Sequence, residues 1–302
     1  MRDDFAAFIL THRRPDNQIT VKSLAKSGYT GRVYWVVDDG DPTLDEYRAQ
    51  FGDDSVLVFN KEAIAREFDQ GDNFTSRGSV FFARNAVWSL ARSVGVRYFV
   101  QLDDDYREFK FRTPGAQRGV PGMHGWTMRR SLDRVFDAMV EFLSASGAAT
   151  VAMAQGGDFI GGADKPTARL TRKAMNSFVC DVEHPFMFMG RINEDVSSYV
   201  SLGNRGELFF TYWSVQLDQE QTQQSAGGMT DLYLDSGTYI KSFYTVMYAP
   251  SCVRVVYSPA MRRYHHSIAW EHAVPKIIHE RYRQGGHEAA PTPTLQRISE
   301  VA

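Results

Sequence analysis

The chain has 302 residues, 43% of them hydrophobic, 13% aromatic and 23% charged, a balance that excludes a disordered polypeptide and fits one large α/β domain. Lys and Arg number 34 against 36 Asp and Glu, and the net charge of −2 excludes a globally basic nucleic-acid binder, so a polyanion must meet a local patch. Cys180 and Cys252 are the only cysteines and have no CxxC or His-rich spacing beside them, so neither a disulfide framework nor a zinc site is indicated.

In chain order, the apolar run FAAFIL (5 to 10) is too short for a signal-peptide core and has acids before it, and no stretch approaches a membrane span. A soluble, cytoplasmic protein with no membrane partner is expected. FAAFIL reads as a strand, THRRPD as a turn in which Pro15 suits a helix start, and Gly28 as that helix's stop. RVYWVV (32 to 37), closed by DDGD, and VLVF (56 to 59) are further strands. Val80, Ala83, Val87, Ala91 and Val94 keep helical spacing up to Gly95, and RYFVQL is the fourth strand. Strands alternating with helices predict right-handed crossovers and a mostly parallel central sheet, a Rossmann-like α/β fold. Ligands bind outside the carboxyl ends of such strands. Thr11 to Arg14, Asp38 to Asp41 and Asp103 to Asp105 each follow a strand, so the three clusters are predicted to converge on that edge.

Beyond residue 110 the alternation weakens. FRTPGAQRGVPGMHGW reads as a Gly- and Pro-rich loop and GGDFIGGADKP as a second one. Leu132, Val135, Phe136, Met139 and Leu143 mark a helix, TVAMA a strand, and INEDVSSYVSLG a helix with Asn193 at its cap. ELFFTYW is a strand, DQEQTQQSAGG an exposed polar stretch, SGTYIKSFYTVM a helix, CVRVVY a strand and VPKIIHERYR a last helix before a frayed tail.

The stretch YFVQLDDDYREF carries the chemistry: three adjacent carboxylates repel unless something positive lies among them. Side-chain alternation puts Asp103 and Asp105 on one side and Asp104 on the other. Two carboxylates on one side suit a hard divalent cation, which commonly bridges diphosphate oxygens. An acidic turn holding lone salt bridges is the plain alternative, and a two-metal nuclease also builds its site from acids at strand ends.

FILTHRRP, VVDDGD, FFARN and LDDD occur in an order and spacing that resembles the nucleotide-sugar half of GT-A glycosyltransferases. With FILTHRRPD at the start and YHHSIAWEHAVPKI near the end, the chain resembles the phage TET-associated glycosyltransferases, a GT-A group that attaches sugars to hydroxymethylated pyrimidines in DNA. The resemblance implies one GT-A domain over 1–284, with a nucleotide-sugar-binding half at 1–110, an acceptor-side elaboration at 111–284 and a flexible tail at 285–302. It implies a nucleotide-sugar donor, taken as a UDP-sugar, a Mn²⁺ or Mg²⁺ cofactor, and DNA containing a hydroxymethylated pyrimidine as acceptor.

Carried over by position, the resemblance makes Asp39 the partner of the donor base or ribose, with Thr11 and Arg13 lining the same pocket. Arg84 would reach the diphosphate with a charge-assisted fork. Asp103 would contact ribose or metal, Asp104 would stand in the donor pocket, and Asp105 would be the direct metal ligand. Among His265, His266 and His272, His266 matches a late metal-binding histidine. Glu194 and Asp195 match the acidic pair at a helix start, with Asp195 as the base that deprotonates the acceptor hydroxyl. Each has a bland counterpart: an Asp-Asp-Gly turn, a solvated arginine, a packed histidine, and acids favoured in any helix's first turn.

On the acceptor side, Arg129 with Arg130, Arg169 with Arg172 and Lys173, and Arg262 with Arg263 are candidate phosphate contacts, and Trp126 a residue to close over an extruded base. Two further readings stand beside DNA glycosylation: the same catalyst on a saccharide or protein acceptor, and a metal-dependent nuclease or DNA-binding module.

Overall fold

The first half of the chain runs β1 (Phe5–Leu10), α1 (Ile19–Ser27), β2 (Arg32–Asp38), α2 (Leu44–Phe51), β3 (Val56–Phe59), α3 (Lys61–Glu67), α4 (Phe81–Ser93) and β4 (Tyr98–Asp103). The computed structural model describes residues 1–72, 78–117, 120–155, 177–219, 229–259 and 262–282. β1 lies between β2 and β4 and runs parallel to both, with β3 parallel beyond β2. Its six residues read as an unbroken apolar run because the sheet is covered on both faces. Phe5, Ala7 and Ile9 pack into one core with Leu24 of α1, and Ala6, Phe8 and Leu10 into the other with Phe82 and Val87 of α4. Gly28 ends α1 at φ 85°, and a Cβ there would lie 2.3 Å from the Arg130 Cα, so conformation and space both require glycine.

The second half adds β5 (Tyr106–Gln117), β6 (Val120–Thr127), α5 (Leu132–Ser146), β7 (Thr150–Gln155), β8 (Ser177–Asp181), α6 (Glu194–Asn204), β9 (Phe209–Gln219), α7 (Met229–Tyr248), β10 (Val253–Ser258), β11 (Arg263–Ile268) and α8 (Trp270–Ala273). One sheet of nine strands takes the order β3-β2-β1-β4-β8-β7-β9-β5-β6, and β10 and β11 form a separate antiparallel hairpin. Beyond β4 the large sheet is mixed. β8 runs antiparallel to β4 and β7, β9 is parallel to β7, and β5 is antiparallel to β9 and β6. The expected α/β class holds, while the continuous parallel run is the β3-β2-β1-β4 half, and beyond it only β7 and β9 pair in parallel among the described residues.

Two sequence expectations are corrected. Over its described residues the glycine-rich stretch from Phe111 to Trp126 is two paired antiparallel strands, β5 and β6, rather than a loop. Only residues up to Phe111 of β5 pair with β9, so the outer part pairs with β6 alone, where an edge position accommodates Pro114. Over its described residues VPKIIHERYR is not an α-helix: α8 stops at Ala273, Val274 turns extended, as a residue before proline does, and Glu280–Tyr282 form a single 3-10 turn. GGDFIGGADKP, Arg169, Arg172, Lys173 and the tail 285–302 lie outside the described residues. Among those described, no helix is long and apolar enough to cross a membrane.

Candidate functional site

β4 ends at Asp103, and Asp104 and Asp105 form the turn into β5, so the three carboxylates do not alternate as on a strand but spread toward three partners. The turn is pinned from below by α1. Ile19 and Thr20 backbone N–H groups donate to the Asp104 carbonyl, and the Thr20 hydroxyl donates to the Asp103 carbonyl at 2.6 Å and accepts from Tyr106 N.

Asp103 accepts from Arg84 Nη2 at 2.9 Å, and the same guanidinium donates through Nε to Glu194 at 2.8 Å. Arg84, on α4, is 1% exposed and stands between the acidic turn and the start of α6 rather than facing solvent. Burial works against its charge, and Asp103 and Glu194 outweigh that and hold it ionised. Its Nη1 is buried without a hydrogen-bond partner among the described residues. Asp104, also buried, accepts from the Thr11 hydroxyl at 2.7 Å and from Arg14 at 3.3 Å. Burial raises its pKa against the pull of Arg14 and Thr11. Asp105 accepts from Gln219, the last residue of β9, at 3.1 Å. Burial first, then Asp103 and Asp104, push its carboxyl up to about 7. Like charges are therefore crowded here.

Glu194 and Asp195 open α6 and are both buried. Burial pushes the Glu194 pKa up, Arg84 opposes this, and Asp195 adds to it. Lys241 of α7 feels both acids, although burial and Arg263 keep its own pKa below the ordinary value. Asn193 takes the N-cap position at φ 55° but makes no side-chain cap; its amide donates to the Lys241 carbonyl at 2.7 Å and approaches His266 Nδ1 at 3.4 Å. His266 is thus anchored beside the α6 start. Among the described residues, Asp103, Asp105 and His266 do not bring ligand atoms within 4.8 Å of one another; the group that does so is His12, Asp38 and Asp41.

That second group clasps the loops after β1 and β2. His12 Nδ1 lies 2.7 Å from Asp38 and 3.2 Å from Asp41, and Lys61 of α3 is 2.9 Å from Asp38. Lys61, and His12 when it is protonated, offset the two carboxylates and leave less charge for a metal to balance. Hydrogen bonds to Asp38 and Asp41 raise the His12 pKa. Burial favours the protonated form of Asp41, but His12, Thr43 and the Arg13 backbone hold its carboxyl well below the usual range. Asp39, exposed, turns away to accept from Asn60 and the Lys61 backbone at the start of α3. Arg13 is exposed at φ 57° and contributes its N–H to Asp41.

Thr11, Asp103, Asp104, Asp105, Arg84 and Glu194 therefore meet at the carboxyl edge of the parallel strands, Asp195 adjoins them, and Asp39 and Arg13 stand on a neighbouring rim. Sequence reading missed Tyr47, Gln18 and Gln219. Tyr47 hydroxyl lies 2.7 Å from Thr11 Oγ1 and accepts from Arg14 N, while Gln18 donates to Thr11 and accepts from Trp35. A tyrosine inside LDEYRAQF carries no signal of that role beyond being the one buried residue of its helix.

The family model for TET-Associated Glycosyltransferase matches residues 5–228. No curated protein matches the chain. Among solved structures, a mannosyltransferase, PcManGT from Pyrobaculum calidifontis, in complex with GDP-Man and Mn²⁺, is 13% identical with a TM-score of 0.44, over 74% of this chain and 59% of that one. TarS 1-349 of S. aureus is 14% identical with a TM-score of 0.29, over 59% of this chain and 47% of that one. The chain thus spans less than two thirds of the length of either.

Proposed function

Since the chain belongs to the TET-associated glycosyltransferase family, we propose that it moves a sugar from a nucleotide-sugar, a UDP-sugar, to the hydroxymethyl group of a modified pyrimidine in DNA. The observation that carries the reading is the Asp103–Arg84–Glu194 chain of ion pairs. It ties the strand edge where a nucleotide would sit to the helix start that carries a second pair of acids. Donor and acceptor chemistry are thereby held at fixed separation by one buried guanidinium.

In this reading Thr11, Asp104 and the Arg13–Asp39 rim receive the nucleoside, and Arg84, whose buried Nη1 has no hydrogen-bond partner among the described residues, serves the diphosphate. Asp103 and Asp105 are the residues that would hold Mn²⁺ or Mg²⁺. The fit is the burial and then the crowding of like charge that together push the Asp105 carboxyl up to about 7, with the second oxygen of each, which carries no hydrogen bond among the described residues. When bound, such a cation offsets charge on the diphosphate leaving group. His266, turned to Asn193, orders the α6 start instead.

Asp195 is the proposed base. The acceptor hydroxyl oxygen attacks the anomeric carbon and its proton passes to the Asp195 carboxylate. The bond from that carbon to the phosphate oxygen breaks, its electron pair leaving with the nucleotide, and configuration is inverted. The test is transfer of radiolabelled sugar from UDP-sugars, with Mn²⁺, to hydroxymethylated and to ordinary DNA of the same sequence. Label on the hydroxymethylated DNA alone is expected; label on a saccharide or protein and on neither DNA would refute the acceptor assignment.

A further inference from the structure

The β10–β11 hairpin and α7 form a surface unlike the rest of the chain. Tyr239 and Phe243, one turn apart on α7, stack at 6.1 Å with planes 10° apart. Tyr264 of β11 meets Tyr239 edge-on at 5.7 Å and its cross-strand partner Tyr257 at 5.6 Å. All four rings are substantially exposed, at 53%, 41%, 46% and 56% for Tyr239, Phe243, Tyr264 and Tyr257. Isolated exposed aromatics are unremarkable, but four in mutual contact are a patch. From Ser236 to Trp270 the sequence carries Lys241, Arg254, Arg262 and Arg263 and no Asp or Glu, in a chain whose net charge is −2. The local patch that a polyanion requires is therefore present, and it is aromatic.

The patch is continuous with the candidate site. Side chains alternate along β11, so Tyr264 and His266 share a hairpin face, and His266 approaches Asn193, the residue before Glu194 and Asp195. Lys241, sensed by both acids, lies between Tyr239 and Phe243 in sequence.

We propose that this face is a stacking platform for an unpaired stretch of the acceptor DNA strand, whose bases lie on Tyr257, Tyr264, Tyr239 and Phe243 while Arg262 meets its phosphates. The inference rests on DNA being the acceptor. Aromatic rings offer a π-face to any base, and basic groups follow the backbone, the combination used for single strands. A strand held there leads toward the α6 start, where the base proposed for transfer stands.

The experiment is fluorescence anisotropy of the full-length protein with labelled single-stranded and duplex oligonucleotides of ordinary bases, without donor. Single strands are expected to bind more tightly than duplex. Tyr257→Ala with Tyr264→Ala should weaken the single strand about tenfold or more. Tyr257→Phe with Tyr264→Phe should restore it, since phenylalanine still stacks. Arg262→Ser should lower the slope of log affinity against log salt by about 0.7. UDP affinity and thermal midpoint should be unchanged in each. Unchanged oligonucleotide affinity in the double alanine variant overturns the platform. So does an equal loss of heparin binding, which would make the effect electrostatic, or a wild-type dimer that the variant abolishes, which would make the occupant a second copy. If tyrosine-dependent binding holds but no DNA receives sugar, the platform stands and the transfer reading falls; if transfer occurs and the variant binds normally, the platform alone falls.

Discussion

Replacing Arg84 with methionine keeps most of the side-chain volume and removes the one cation between Asp103 and Glu194. In the wild type the guanidinium is 1% exposed, the Glu194 side chain 6% and the Asp103 side chain 20%, at 2.8 and 2.9 Å. Removing one partner of a buried ion pair costs about 3–5 kcal/mol, because the remaining charge is left without compensation. Asp103 retains some solvent, so its share is the smaller. Glu194 has an escape: burial already pushes its pKa up, and the loss of Arg84, which opposes that, pushes it further. A carboxyl whose folded pKa lies above its unfolded one favours the folded state when protonated; that contribution is complete below the unfolded pKa and is lost as pH rises through the folded one. Urea unfolding should therefore show a loss of about 3 kcal/mol at pH 8 and about half of that at pH 5.5. Adding Glu194→Gln should recover most of the deficit at pH 8, with an interaction energy of about 1–3 kcal/mol in the double-mutant cycle. A deficit below about 1 kcal/mol at pH 8, or one that neither pH nor the second substitution changes, would refute the claim that this guanidinium bridges the two halves of the site.

Asp105→Asn should leave the chain folded, with an unchanged or raised urea midpoint in EDTA because one of three crowded charges is gone, and should abolish Mn²⁺-dependent UDP binding by calorimetry. Asp195→Asn should lower sugar transfer by about two to four orders of magnitude while UDP affinity stays near wild type; a near-normal rate would remove Asp195 as the base. His12 has its pKa raised by Asp38 and Asp41, so its contribution to stability is present in full below its unfolded pKa and lost as pH rises through the folded one. His12→Gln should accordingly destabilise the protein at pH 6 and match the wild type more closely at pH 9 in thermal unfolding, the reverse trend counting against the clasp.

What the sequence made legible was local. FAAFIL, RVYWVV and RYFVQL announce themselves because strands covered on both faces must be apolar throughout, and Gly28 marks its helix end because its φ of 85° suits little else. The acids after each strand were readable as one edge because parallel strands bring their carboxyl ends together. The contacts that assemble the site were not readable. Arg84 and Glu194 are 110 positions apart, and nothing near either names the other. β8 escaped because SFVCD is only five residues long and, buried on both faces, shows no alternating period. The β5–β6 pair was hidden by glycine and proline that an edge tolerates. Asp104 and Asp105 were assigned by strand alternation, which stops where β4 stops, at Asp103. That His266 approaches Asn193 at the start of α6 was likewise hidden, because a histidine's sequence neighbours do not reveal which way it faces.

The reversed strand β8 has a consequence for how this molecule can diversify. Because β8 runs against β4 and β7, with Leu102 opposite Ser177, the chain leaves the sheet at Gln155 and re-enters at Ser177 on the same edge as Asp103. Both anchors are fixed: Met153 N donates to the Ser177 hydroxyl at 2.9 Å, and every residue of β8 is buried. The registers of β7 and β8 are set by these anchors and not by the length of chain between them. Lengthening a closed loop is cheap, about 0.6 kcal/mol for each doubling. Lineages can therefore change the length of that connection without re-evolving the sheet, the acidic turn or the buried arginine.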